Sequence, residues 1–170
     1  MDTYLAIASR RDERRYSERA VPASTVERIL DAGRLAGSAG NRQPWTFFVV
    51  SSREVVERLS ETVFAPANVL GARLVVAITV RGRGPTAFDA GRAAQNMLLA
   101  AWNEGLVSCP NGVADQERAR ELLDLSEDER PVIVLSFGYP ARERQPERRS
   151  PEEWSARANR RPLAELVRRL

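Results

Sequence analysis

The chain has 170 residues, a length that suits one domain with a substantial core, and its 26 basic residues against 23 acidic ones leave a formal net charge of only +3. All of the basic residues are arginines, because the sequence contains neither lysine nor histidine. These absences exclude Ser-His-Asp and Cys-His catalysis, histidine-ligated metals, lysine Schiff bases and a P-loop lysine.

In the first part of the chain, residue periodicity and β-branched content predict a helix at 3–9, a helix at about 24–36, a strand at 46–50 and a helix at about 53–63. Ser24 and Glu27 have the spacing of a capping box, which would start the second helix. The strand at 46–50 is expected to be buried. An arginine cluster follows the first helix, either as its end or as an extended segment.

The second part of the chain predicts a strand at 74–80, a helix at about 86–104, a short strand at 107–109, a helix at 115–124, a strand at 132–137 and a terminal helix at 162–170. The strand at 74–80 is apolar on both faces, as in a central strand covered by helices. Asp89 is placed like the acidic partner of a capping box. Because helices and strands interleave, the sequence predicts a single α+β or α/β sandwich domain, and the segment 141–155 is expected to be irregular.

Composition also bears on where the protein works. The single cysteine, Cys109, excludes internal disulfides and is expected to be a small buried hydrophobe. The residues before the arginine cluster contain no apolar run of signal-peptide length, and the longest aliphatic runs are strand-sized. We therefore expect a soluble, cytoplasmic protein that does not contact a membrane.

Four arginines lie within the first fifteen residues, at Arg10, Arg11, Arg14 and Arg15. Like charges this close repel one another, so the cluster suggests that an anion binds against it. The small net charge and the acidic residues that interrupt most arginine runs make nucleic acid an unfavoured candidate. The charges alone do not identify the anion, and a solvated surface remains the simplest interpretation of an isolated run.

The segment 37–45 combines small residues with an amide pair and an aromatic side chain. Small residues let a planar ligand approach the backbone, while Asn41 and Gln43 offer donors and acceptors to a heteroaromatic edge. Taken alone, the segment is better interpreted as an ordinary loop between a helix and a strand.

Seven motifs follow one another along the chain: the Arg-Arg-Asp-x-Arg-x-Tyr pattern at 10–16, Ala-Val-Pro at 20–22, Asn-Arg-Gln-Pro-Trp at 41–45, the helix from 89 to 105, the loop at 105–112, Phe-Gly-Tyr-Pro at 137–140 and Arg-Arg-Pro-Leu at 160–163. No single motif is specific, but the ordered set covers most of the chain. Taken together, these motifs strongly resemble the nitroreductase family of flavoproteins, as a short member of that family.

The resemblance implies a three-layer α/β/α sandwich with a mainly antiparallel sheet, and a homodimer that binds FMN at its subunit interface. The FMN contacts that it implies are Arg10, Arg11, Asp12, Arg14, Ser38, Ala39, Asn41, Gln43, Pro110, Asn111, Gly112, Arg160 and Arg161. Positions 10, 12 and 14 of an extended segment point the same way and would face the phosphate side, with Arg160 or Arg161 closing on the phosphate. Arg11 would then be a weaker contact on the opposite face.

The other implied contacts concern the flavin ring and the tail. Ser38, Ala39 and Asn41 would approach the ring from one side, and backbone amides near Asn111 and Gly112 would approach its N5 and O4 edge. Residues 141–170 are expected to pack on the partner subunit. No protein side chain is assigned a catalytic role, and no metal is expected.

The implied activity is an FMN-dependent oxidoreductase that passes hydride from NADH or NADPH through flavin N5 to a nitroaromatic, a quinone or a similar acceptor. Two features depart from the family pattern: Asp12 stands where many members have serine or threonine, and few residues separate the strand ending at Val80 from the helix opening at Thr86. A flavin destructase-like enzyme and a flavin-binding protein without turnover therefore remain alternatives.

Overall fold

The computed structural model describes residues 1–170. Its strands are β1 (Trp45–Val50), β2 (Leu74–Arg81), β3 (Val107–Gly112) and β4 (Glu129–Gly138). Its helices are α1 (Thr3–Ser9), α2 (Ala23–Arg34), α3 (Arg53–Ser60), α4 (Pro66–Leu70), α5 (Thr86–Asn103), α6 (Gln116–Leu122), α7 (Pro151–Ala156) and α8 (Leu163–Leu166), with 3₁₀ turns at Ala39–Asn41 and Pro146–Arg148. The chain forms two compact units, residues 11–143 and residues 1–10 with 144–170.

The larger unit is built on a four-stranded sheet with the order β1-β2-β4-β3, in which every neighbouring pair is antiparallel. Each face of the sheet is covered by its own apolar cluster, because successive side chains of β2 and β4 point to opposite faces. Helices α2 and α5 cover one face, and α3 and α4 cover the other together with the α6 region. The predicted three-layer α+β sandwich is therefore confirmed.

The strands differ in burial as their places in the sheet require. In β2 every residue from Leu74 to Val80 is buried, which confirms the prediction of a central strand. The prediction of a buried strand at 46–50 is wrong, because β1 lies at the sheet edge and all of its residues are exposed or half-buried. Strand β3 extends to Gly112 and includes Pro110, which an edge strand tolerates.

The smaller unit contains α1 packed against α7. Asp2 caps α1 by accepting hydrogen bonds from the backbone N–H groups of Tyr4 and Leu5, at 2.9 and 3.0 Å. Helix α7 begins with a capping box in which Ser150 and Glu153 each bond the other's backbone N–H. This box corrects the prediction that residues 141–155 are irregular throughout.

Several helix boundaries also differ from prediction. Helix α2 starts at Ala23 after an extended Pro22, with no side-chain cap, so the predicted capping box at Ser24 is wrong. The helix expected at 53–63 ends at Ser60, and a second short helix opens with Pro66 at its first turn, where proline is favoured. The terminal helix is limited to α8. None of the helices has both the length and the apolar character that a bilayer crossing requires.

Candidate functional site

The arginine cluster forms an extended segment after α1. This was one of the two predicted alternatives, the other being that the cluster forms the end of the helix. Asp12 forms a parallel β-bridge with Ser108, and the backbone N–H of Glu13 donates to the carbonyl of Ser108 at 3.1 Å. Four residues on, Tyr16 forms an antiparallel bridge with Pro140. The segment therefore lies along the outer edge of β3 and past the end of β4.

Within this segment, Asp12 and Arg14 are exposed, whereas Arg11 is half-buried. Alternation along an extended chain puts Asp12 and Arg14 on the same side, opposite to Arg11. Arg14 forms no salt bridge with a carboxylate and is therefore available to an external anion. Arg15 is exposed as well.

Tyr16 fixes the segment to the sheet through buried polar groups. Its phenol lies 3.0 Å from Ser136 Oγ, which in turn donates to the Cys109 carbonyl at 3.1 Å. Because the Ser136 hydroxyl proton is used in that bond, Tyr16 acts as the donor. Burial raises the pKa of Tyr16 to about 12, so the phenol stays protonated at neutral pH. Its ring packs against the backbone of Gly138.

Asn111 joins the same polar network. Its two Nδ2 protons are shared among three acceptors, the carbonyls of Cys109 and Val134, both at 3.0 Å, and Ser136 Oγ at 3.1 Å. The Oδ1 atom is buried and has no hydrogen-bond partner. The Nδ2 group of Asn111 thus links β3 to β4, and the side-chain oxygen Oδ1 is the one polar atom of this amide without a partner.

The outer edge of β3 offers backbone groups at alternate residues. The carbonyls of Ser108 and Gly112 accept from Glu13 and from Phe64, each at 3.1 Å, so residues 108, 110 and 112 direct their backbone groups away from β4. By the same alternation the Asn111 amide faces β4. Pro110 has no N–H, so Gly112 supplies the outward amide of this stretch.

Gly112 lies beneath an exposed aromatic ring. A Cβ built at Gly112 would come within 3.2 Å of the Phe64 ring, and that ring is 79% exposed. The missing side chain lets the Phe64 ring lie close against the Gly112 backbone, and the exposed face of that ring suits a planar ring system. Sequence patterns did not indicate Phe64, because it follows a predicted helix and has no recognisable motif.

The segment 38–43 forms a tight turn held by side chains. The N–H of Gln43 donates to Ser38 Oγ at 2.8 Å, and Gln43 Nε2 donates to the Asn41 carbonyl at 3.2 Å. Gly40, Asn41 and Gln43 all have positive φ, at 59°, 53° and 49°. Glycine and asparagine tolerate this region well, whereas Gln43 adopts it at some cost.

Asp89 anchors this turn from the first turn of α5. It is 3% exposed, and its Oδ2 accepts the Ala39 N–H at 3.2 Å. The prediction that Asp89 acts as a capping-box partner is therefore wrong, since Pro85 precedes the helix without a side-chain cap. The bond joins residues fifty positions apart, and local patterns do not reveal such pairs.

The turn at 38–43 and the outer edge of β3 lie at opposite edges of the sheet. The turn leads into β1, and β2 and β4 separate β1 from β3. With strands about 4.8 Å apart, the two edge strands are roughly 14 Å from each other. The structure therefore does not bring Ser38, Ala39, Asn41 and Gln43 together with Pro110, Asn111 and Gly112 in one chain.

The remaining predicted contacts belong to the smaller unit. Arg10 ends α1, and its backbone N–H donates to the Ala6 carbonyl at 3.0 Å. Arg160 and Arg161 are exposed before Pro162, and Arg161 Nε forms a 3.1 Å ion pair with Glu165. Their contact with a phosphate stays a prediction.

A family model described as the nitroreductase family matches residues 7–82 and 67–139, which together span most of the chain. The chain belongs to the nitroreductase family. A relative from Methanothermobacter thermautotrophicus, named "Putative NADH dehydrogenase/NAD(P)H nitroreductase", is 35% identical over 150 residues, covering 83% of this chain and 78% of the relative. The resemblance found in the sequence is thus confirmed, and the family supports an oxidoreductase.

Solved structures of the nitroreductase family share the fold. A nitroreductase family protein from Clostridium difficile 630 matches with a TM-score of 0.83 and 26% identity, covering 99% of this chain and 98% of that one. An FMN-dependent nitroreductase from Clostridium difficile R20291 matches with a TM-score of 0.77 and 25% identity, covering 85% and 90%.

Proposed function

We propose that this member of the nitroreductase family is an FMN-dependent NAD(P)H oxidoreductase with a nitroaromatic, a quinone or a similar compound as acceptor. The observation that carries the proposal is the β3 edge, where Gly112 presents an outward amide beside an exposed aromatic ring. The name of the FMN-dependent structural relative supports the choice of cofactor. When bound, FMN would supply the hydride transfer for which this chain has no side chain.

The residues fit such a cofactor at the β3 edge. The Gly112 N–H can donate to an electron-rich ring atom and so stabilise the reduced state. Its missing Cβ gives room to the Phe64 ring, which lies beside the Gly112 backbone. Arg14, exposed and without a carboxylate partner, suits the phosphate as a charge-assisted donor.

We further propose that two subunits build each flavin site. The turn at 38–43 would serve the flavin held by the partner's β3 edge, because in one chain β2 and β4 lie between the two sets of contacts. A symmetric dimer would then hold two equivalent sites. This arrangement lets both predicted sets of contacts act on the same flavin.

A spectrum of the purified protein tests the cofactor. A yellow protein with flavin absorbance, or one that gains it when FMN is added, is expected. A colourless preparation that does not take up FMN would contradict the proposal.

Stopped-flow mixing with NADH or NADPH tests turnover. Loss of the oxidised-flavin absorbance, followed by its recovery on addition of a quinone or nitroaromatic, is expected. The second candidate is flavin binding without turnover, which is favoured by the short connection of residues 82–85 between β2 and α5, since it adds no cover over the site. Absorbance unchanged by either nucleotide would favour that candidate.

A further inference from the structure

A pocket of about 420 Å³ lies where β1 begins and β2 ends, next to the first turn of α5. We call it the basic pocket; its polar lining includes Arg42, Gln43, Arg81, Arg83, Thr86 and Asp89. Its volume lies within the range of small-molecule sites. All of these residues belong to the larger unit.

The charges of the basic pocket do not cancel locally. Arg81 is compensated by Asp128 and Glu129, at 3.4 and 3.3 Å, which lie outside the lining. Asp89 is buried and directs Oδ2 to the Ala39 N–H. Arg42 and Arg83 are exposed and form no salt bridge, so two guanidinium groups remain for an anion.

Arg42 is already positioned for such a contact. Its Nε donates to the Ala39 carbonyl at 3.1 Å, which orients the guanidinium plane. Its terminal nitrogens lie 3.5 and 3.7 Å from where a Cβ of Gly84 would stand, and Gly84 has a φ of 107° that glycine adopts readily. The side chain thus lies over the 82–85 connection with both NH₂ groups available, the geometry that suits an oxyanion.

We propose that the basic pocket binds the oxyanion of a substrate, with Arg42 and Arg83 as its ligands. The proposal rests on the proposed function in one respect: Arg42 lies between Asn41 and Gln43 in the turn assigned to the flavin, so the oxyanion would belong to a molecule reacting there. A phosphate of the pyridine dinucleotide and a carboxylate of an aromatic acceptor share this chemistry. In either case the pocket determines which substrates are favoured.

Steady-state kinetics of R42Q/R83Q tests the proposal. If the oxyanion is a nucleotide phosphate, KM for NADH or NADPH should rise roughly tenfold or more, while KM for a neutral, phosphate-free dihydronicotinamide stays the same. If it is a carboxylate, KM for 4-nitrobenzoate should rise while KM for nitrobenzene does not change. Unchanged KM values for NADH, NADPH and 4-nitrobenzoate would overturn the proposal.

Two control proteins separate a specific site from general charge. R58Q removes an exposed arginine of α3 outside the pocket, and it should leave every KM unchanged. R42K/R83K keeps the charge but loses the planar fork, and it should retain part of the affinity. An equal effect of R58Q, or dissociation of a dimer in R42Q/R83Q, would overturn the proposal in favour of long-range attraction or a subunit contact.

Calorimetric titration with inorganic pyrophosphate and with benzoate makes the pocket testable without flavin. Binding of one of them to the wild-type protein and its loss in R42Q/R83Q would support the pocket even if the protein bound no FMN, an outcome that would contradict only the proposed function. Because pyrophosphate can also bind at Arg14, the deciding quantity is the number of bound ligands: the same number in the two proteins, or no binding to the wild type, would overturn the pocket while leaving the flavin proposal standing.

Discussion

Gly138 leaves the space that the Tyr16 ring occupies. A Cβ at position 138 would come within 2.8–2.9 Å of three Tyr16 side-chain atoms, so Gly138→Ala should displace the ring and cost about 1–3 kcal/mol of unfolding free energy. Urea denaturation measures this difference. Gly71→Ala is the matched control, since a Cβ there would meet the same ring at an ordinary 3.8 Å. Equal stability of the two variants would show that Tyr16 moves without cost.

The buried phenol of Tyr16 makes stability depend on alkaline pH. Its pKa is about 12 when folded, above the value of about 10 expected for an unfolded chain, so it stabilises the fold fully below pH 10 and loses that effect as the pH rises toward 12. The effect is at most roughly 2–3 kcal/mol. Spectrophotometric titration should show a late tyrosinate component that Tyr16→Phe removes. A titration without that component would contradict the burial argument.

At the scale of elements, Asp89 couples α5 to the turn at 38–43. Removing its carboxylate in Asp89→Ala should leave the Ala39 N–H unpaired and loosen the turn, at a cost of about 1–2 kcal/mol. Hydrogen exchange of residues 38–43 should therefore accelerate. Asp115→Ala removes a carboxylate that caps α6, and it should lower stability without changing exchange in the turn. Equal protection of the turn in wild type and Asp89→Ala would contradict the coupling.

The elements that sequence patterns predicted well are those with strong local signals. The apolar run of β2 and the long helix α5 were placed within a residue or two, because burial on both faces of an element is visible in its composition. Burial of β1 was overestimated, since its edge position depends on strand order. The Ser24–Glu27 pair has capping-box spacing, but Pro22 sets the helix start one residue earlier.

The sequence motifs identified the segments of the candidate site, but they did not show where those segments lie relative to one another. The motifs identified the turn at 38–43 and the β3 stretch, but only the sheet order shows that they lie at opposite edges. The role of Asp89, the Tyr16–Ser136 pair and the exposed Phe64 all depend on contacts between distant residues. Such contacts are decided by the folded topology.

At the scale of the whole molecule, a flavin site built from the β3 edge of one subunit and the turn at 38–43 of the other predicts complementation between subunits. Arg14→Ala should impair the phosphate contact, and Ala39→Trp should block the turn, so each homodimer should lose FMN. A mixed dimer would contain one site with both defects and one with neither, and it should recover about one flavin per dimer. Absorbance after co-refolding and separation of the mixed dimer measures this. No recovery would show that each site is built within one chain.

The burial of Cys109 in β3 provides a way to measure how often that strand opens. It is the only thiol of the chain, it is 1% exposed, and it lies in β3, next to the residues assigned to the flavin. A thiol reagent can reach it only when that strand opens, so the labelling rate reports the opening of the site edge without any engineered probe. A bound ligand that holds β3 closed should slow that labelling, which gives a readout of occupancy independent of colour or turnover.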